Sequence, residues 1–289
     1  NEGTGGVPPF DNTYYHSGDT VTVKNNSGAL TKTNYTFVGW NTLANGNGTN
    51  YTAGSGTFSI TANTKLFAKW TGIQCTVTFD MQSGTGGTAT ATATYGSAMP
   101  TATAPTRTGY IFQGYYDEIN GGGNQYYSNA MASSRNWDKA TDTTLYARWT
   151  AGTYTVTFNR QSGTGGTTTA TATYGSAMPS ATAPMRTGYT FQGYYDATTG
   201  GNQYYSNAMV SVRNWDKATD TTLYARWTGN SYTITFDMQS GSGGTTSTTA
   251  TYGSPMPTGL TAPTKGGYLF TGYWDATTGG TQYYTDAMT

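Results

Sequence analysis

Apolar and polar residues alternate over several short stretches of this chain, which is the period of half-buried β-strands. Thr76-Val77-Thr78-Phe79-Asp80 places Val77 and Phe79 on one face and threonines on the other. Ser83-Gly84-Thr85-Gly86-Gly87 reads as a turn, and Thr88 to Tyr95 alternates Thr with Ala, so the two stretches are expected to form a hairpin with a shallow edge. Met99 to Pro105 contains two prolines and is expected to cross the module as an extended connection. Tyr110 to Tyr116 is the next strand, with Tyr110, Phe112, Gly114 and Tyr116 on one face and Gly114 leaving room for a bulky neighbour such as Trp149. Asn120-Gly121-Gly122-Gly123 marks a turn before Gln125-Tyr126-Tyr127, and Ser128 to Asp142 is expected to include one short helical turn around Met131. Thr144 to Trp149 closes the series, with Leu145, Ala147 and Trp149 sharing a face opposite Tyr146 and Arg148.

The whole series recurs at a spacing of about 78 residues. The opening strand returns as Thr155-Val156-Thr157-Phe158-Asn159 and Thr233-Ile234-Thr235-Phe236-Asp237. The closing strand returns as Leu223-Tyr224-Ala225-Arg226-Trp227, with a diverged copy at Leu66-Phe67-Ala68-Lys69-Trp70. The middle strand, Gly109 to Tyr115, is matched at Gly188 to Tyr194, Gly267 to Tyr273 and Asn34 to Trp40. Four modules follow: 1–71, 72–150, 151–228 and 229–289, joined by linkers of only a few residues. The first lacks an opening strand before Thr4-Gly5-Gly6, and the fourth lacks a closing one, since its Trp would fall beyond Thr289. A window cut from a longer array is the expected explanation; complementation between chains is the rival, weakened because neither end carries a spare strand.

Those three markers, in order, resemble the internalin B-repeat family, also called Listeria-Bacteroides repeats. The first module's Tyr35-Thr36-Phe37-Val38-Gly39-Trp40 is closest to the family pattern, whereas Tyr115, Tyr194 and Tyr273 stand where the others would carry that Trp. The resemblance implies small β-grasp-like (ubiquitin-like) modules, used as spacers or adhesive units in secreted and wall-attached proteins. Residue pattern and resemblance together give a fold class of all-β to α+β, arranged as tandem modules in an extended rod. The scarcity of Lys and Glu departs from the family and suits lateral packing into a fibre or sheath.

Composition agrees with a strand-rich chain: 15% of the 289 residues are aromatic, with 25 Tyr, and 40 are Gly. Charged residues are only 10% and balance to zero, which removes the electrostatic footprint for nucleic acid or an anionic membrane. No apolar run approaches the roughly 20 residues of a membrane span, so no membrane insertion is expected.

Catalysis finds no foothold, and no enzyme activity is expected. His16 is the sole imidazole and Cys75 the sole thiol, standing where sister modules carry Tyr154 and Tyr232, a packing position. Asp142 and Asp220 precede the closing strands and read as turn caps, and Asp138 and Asp216 lack signs of an acid's apolar enclosure. Lys139 and Lys217 read as exposed. No loop for calcium or nucleotide occurs, so no cofactor or metal is expected. What remains is surface. In the Tyr-Tyr pairs of strands one ring is expected inside and one outside, which makes Tyr115, Tyr126, Tyr194, Tyr204 and Tyr283 candidate interaction residues. Asn25, Asn34, Asn47 and Asn50 begin Asn-x-Ser/Thr sequons and are candidate glycosylation sites. The expected function is a structural, extracellular, cell-surface repeat protein: a stalk or subunit of a fibre, filament or sheath. Its partners would be other copies or neighbouring repeats. The alternative is an adhesin or carbohydrate-binding module stacking exposed Tyr on glycan.

Overall fold

Threonine, alanine and aromatic residues at alternate positions leave the backbone one good way to satisfy its hydrogen bonds, and the computed structural model is accordingly built of short strands. It describes residues 2–119 and 122–289, so Asn120 and Gly121 of the expected turn lie outside the described residues. Among the described residues there is no helix: the chain is all-β, and the α part of the expected class is absent. Two units divide it, Asn1–Thr150 and Ala151–Thr289.

In the first unit, β1 (Thr20–Thr22), β2 (Tyr35–Asn41), β3 (Asn50–Tyr51), β4 (Thr57–Ser59) and β5 (Phe67–Gly72) form a β1-β4 pair and a three-stranded sheet ordered β3-β2-β5. They are followed by β6 (Gln74–Asp80), β7 (Thr90–Thr94), β8 (Tyr110–Tyr116), β9 (Gln125–Tyr127) and β10 (Thr143–Ala151), a five-stranded sheet ordered β7-β6-β10-β8-β9. The second unit repeats that sheet with β11 (Thr153–Asn159), β12 (Thr169–Thr173), β13 (Tyr189–Tyr195), β14 (Gln203–Tyr205) and β15 (Thr221–Gly229), ordered β12-β11-β15-β13-β14. It ends with β16 (Ser231–Thr235) paired to β17 (Ser247–Thr251), and β18 (Gly272–Trp274) paired to β19 (Gln282–Thr285).

The opening hairpin forms as the alternation demands, with Val156 opposite Ala170 and Tyr154 opposite Ala172. The closing strand then enters the middle of the sheet. β15 runs parallel to β11, Leu223 beside Phe158, and antiparallel to β13, Ala225 beside Tyr194 and Trp227 beside Phe191. Its Leu-x-Ala-x-Trp face is therefore the core face, and Leu223 and Val156 are wholly buried with Phe158 and Phe191 around them. Leu145, Val77, Phe79 and Phe112 repeat this cluster in the second module.

Three expectations fail for physical reasons. The register between β13 and β15 shifts at Phe191/Gly193, a bulge with Gly193 at φ +123, so after Phe191 the inward face passes to Tyr194 and not Tyr195. In the second module likewise Tyr115 is buried and Tyr116 half-buried. The space at Gly114 accommodates backbone: a Cβ there would lie 2.2 Å from the Tyr127 carbonyl oxygen, while the Trp149 indole sits over Gly84, 2.7 Å from where its Cβ would be. The stretch 128–142 makes turns in place of a helical one, with Met131 at φ +58 and the Ser128 amide donating back to the Ala132 carbonyl at 2.9 Å.

Leu223→Ala removes a buried side chain from the centre of this core and is expected to lower unfolding free energy by about 2–5 kcal/mol in urea denaturation. Leu269→Ala, at a 92% exposed position, is expected to change it by less than about 0.5 kcal/mol. Gly193→Val must adopt a left-handed backbone and meet the Tyr205 carbonyl, and it is expected to cost about 3 kcal/mol or more in the same measurement.

Candidate interaction surface

A two-stranded edge such as β13-β14 would bury one Tyr of each pair, yet four of the five tyrosines expected at the surface, Tyr115, Tyr126, Tyr194 and Tyr204, are completely buried. Tyr194 lies inside because of the bulge, packed on Phe158 at 4.7 Å. Tyr205 also faces the core and donates its hydroxyl to the Pro179 carbonyl at 2.6 Å. Tyr204 points the other way, but the segment Arg213–Asp216 folds back over it. Trp215 packs on its ring at 5.3 Å, the Asp216 carboxylate accepts its hydroxyl in a short hydrogen bond, and backbone bonds between Trp215 and both Gly175 and Ser176 pin the cover down. Tyr126, Trp137 and Asp138 repeat this in the second module. The outer face is thus covered at β14, while the outward threonines of β11 and β12 stay largely exposed, and these four tyrosines are structural. Of the five candidates only Tyr283, the counterpart of Tyr204, is exposed, at 49%. Trp137 and Trp215 were the missed residues; their signal is a large apolar residue recurring inside a polar stretch, Arg-Asn-Trp-Asp-Lys.

The remaining candidates have structural partners. Asp142 and Asp220 each accept an amide of the neighbouring opening strand, Thr76 and Thr155, at 2.7 Å, so they cap the parallel strand pair. Lys139 and Lys217 are paired with Asp117 and Asp196 at 2.9 and 3.0 Å, more engaged than the sequence implied. Burial alone would raise the pKa of Asp196, but the Asn202 amide and Lys217 override it and hold the carboxyl below its ordinary value. Cys75 is buried with its thiol 3.7 Å from the Lys139 carbonyl, and His16 is fully open to solvent beside Asp19. Among the described residues no cluster of His, Cys, Asp or Glu could hold a metal ion. Asn25, Asn47 and Asn50 are exposed and Asn34 half-exposed; the Asn50 side chain accepts hydrogen bonds from Asn41 and Lys69, and the Asn34 carbonyl accepts the Ile73 amide.

Two features reach beyond a single sheet. Within each unit one residue separates a closing strand from the next opening strand, Ile73 in the first and Asn230 in the second, and tyrosines from both modules meet beside it. Tyr35 meets Tyr95 edge to face at 5.5 Å, and Tyr189 meets Tyr252 at 5.3 Å. A cation caps each pair, Lys32 at 4.6 Å over Tyr35 and Arg186 at 3.8 Å over Tyr189. Backbone bonds from Ile73 to Asn34 and from Asn230 to Gly188, at 3.0 and 2.9 Å, tie the connectors down. The second feature is a cleft of about 1000 Å³ in the fourth module, lined by Ile234 and Phe236 on one wall and Phe270 and Tyr273 on the other.

Burial pushes Tyr194 and Tyr205 up to about 12, and Tyr204, which also donates to Asp216, further still. A raised phenol pKa means that the folded state holds its protons more tightly, so this stability is complete below the ordinary value of 10.0 and is lost as pH rises towards the folded value. Unfolding is expected above about pH 10, with tyrosinate absorbance from the buried rings appearing together with loss of near-ultraviolet circular dichroism. Tyr204→Phe is expected to remove part of that alkaline dependence.

Comparison with known proteins places these observations. The Listeria-Bacteroides repeat domain matches residues 1–69, 76–148, 154–226 and 232–289. A protein of Evansella cellulosilytica described as a Gly-rich membrane protein is 30% identical over 257 residues, covering 85% of this chain and 26% of that protein. Internalin H of Listeria monocytogenes is 47% identical over 108 residues, 35% of this chain and 17% of that protein. The chain therefore spans well under a third of either relative. Four matches along the chain, two of them on modules that share strand order and core, show that this chain belongs to the Listeria-Bacteroides repeat family.

Proposed function

We propose that this chain is a structural repeat protein of the cell surface, a stalk or fibre segment that acts through spacing and without catalysis. One observation carries the reading: the closing strand passes straight into the next opening strand within each unit, across one residue clamped by two tyrosines and a cation. A one-residue connector held this way limits bending between neighbouring modules, which suits a spacer. Relatives described as an internalin and as membrane proteins support a location at the cell surface or envelope. Partners would be further repeats or other copies of the chain. The adhesin alternative leaned on five tyrosines, of which four are buried and Tyr283 is exposed, so the spacer reading is the better supported of the two. Kinship with β-grasp modules is part of this proposal. It is supported by the order second, first, fifth, third, fourth with a parallel central pair, although an extended segment stands where such modules carry a helix.

Small-angle scattering of the chain in dilute solution tests the stalk. A maximum dimension on the order of 100 Å, with a radius of gyration well above the ~19 Å of one globule of this length, is expected. A profile at the globular value would contradict it. Tyr189→Ala is expected to broaden the distance distribution by freeing the joint while Leu223 and its neighbours stay buried, read as unchanged far-ultraviolet circular dichroism.

A further inference from the structure

At each joint within a unit, two tyrosines of neighbouring modules cross so that the phenol end of one lies beside the other. In the second unit a Cβ on Gly253 would lie 2.2 Å from the Tyr189 hydroxyl oxygen and 3.9 Å from Cε1, a ring carbon next to the one that bears it. Reciprocally, a Cβ on Gly188 would lie 2.4 Å from Cδ1 and 2.5 Å from Cε1 of Tyr252. Each ring therefore rests on the glycine beside the other tyrosine. In the first unit the phenol end of Tyr35 sits in the same way on Gly96, which follows Tyr95, its hydroxyl oxygen 2.6 Å from where a Cβ would be. Arg186 and Lys32 lie over Tyr189 and Tyr35 and hold them in place, whereas Tyr252 is 47% exposed and able to turn about its side-chain bonds. By contrast, Tyr115 with Tyr127 and Tyr194 with Tyr205 are farther apart, at 6.4 Å, and sealed in the core.

We infer that these joints are sites of oxidative cross-linking, at which a one-electron oxidant of the haem-peroxidase class, with hydrogen peroxide, joins Tyr189 to Tyr252 and Tyr35 to Tyr95 as dityrosine. Each phenol gives up one electron and one proton. The two radicals form a carbon–carbon bond between ring carbons next to the hydroxyl-bearing ones, and the hydrogen on each joined carbon moves to oxygen, which restores both phenols. One molecule of peroxide takes up both electrons and both protons and leaves as two molecules of water. The new bond spans the one-residue connector and turns a clamp held by ring contact into a covalent one, so the inference rests on the spacer reading of these joints.

The test exposes the 289-residue chain, at micromolar concentration, to a haem peroxidase and hydrogen peroxide and maps its proteolytic peptides by mass spectrometry. Dityrosine fluorescence is expected, with peptides joining Tyr189 to Tyr252 and Tyr35 to Tyr95, each lighter than its two parts by two hydrogen atoms. Rings already in contact outrun coupling between chains at this dilution. Tyr252→Phe keeps the ring at the joint but removes the phenol; it is expected to abolish the first product and spare the second. Oxidation in urea is expected to lower both yields by about tenfold, because the rings are then brought together only by closure of a long loop. No joined peptide from the folded chain, equal yields folded and unfolded, or comparable joining of Tyr115 to Tyr127 or Tyr194 to Tyr205 would overturn the inference. Scattering tests the spacer reading without oxidation, so an extended chain that yields no dityrosine would overturn this inference alone.

Discussion

The parallel pairing of a module's opening strand with its closing strand is the constraint from which the rest of the structure follows. A parallel pair needs a long crossover, and here everything between β11 and β15 serves as one. Because β15 then lies between β11 and β13, its Leu-x-Ala-x-Trp face becomes the middle of the core, with an aromatic residue on either side. It also leaves the sheet pointing away from where it entered, so the next module can begin one residue later. Asp220 secures the start of this pair by capping the Thr155 amide, and Asp142 does the same for Thr76.

Both faces of the sheet carry aromatic packing, the inner one throughout and the outer one at the β14 edge. On one side lie Phe158, Phe191, Tyr194 and Tyr205; on the other, Tyr204 lies beneath Trp215. Aromatic rings supply this cover where aliphatic residues are few. The phenol groups that must be buried mostly find acceptors, Tyr205 on the Pro179 carbonyl and Tyr204 on Asp216. Arg226 spreads over Tyr195 at 3.7 Å on the outer surface, so even the half-buried ring has a partner. The tyrosines that make the chain look adhesive are largely its packing material.

Much of this was legible in the residues. The hairpin and the core face of the closing strand follow from period-two alternation, and the extended stretch from its two prolines, because local pattern and tertiary packing agree there. The inward turn of Tyr194 was not legible, since one extra residue at the Gln192–Gly193 bulge inverts the alternation and only pairing with β15 reveals it. Nor was the burial of Tyr204: a three-residue strand predicts one exposed ring, and the cover comes from a segment eleven residues further on. The expected helical turn failed because its polar residues bond to nearby backbone, as Ser128 and Ser206 do to Ala132 and Val210. The tyrosine joints fell outside any single repeat, so a reading made module by module had no means of finding them.

Amide hydrogen exchange on the intact chain tests the central role of the closing strand most directly. If that strand organises each sheet, amides of β10 and β15 will be the slowest to exchange, and those of β11 will be markedly slower than their counterparts in β16, which lacks such a neighbour. Equal protection in β11 and β16, or fast exchange in β15 while the β11-β12 hairpin stays protected, would contradict the account.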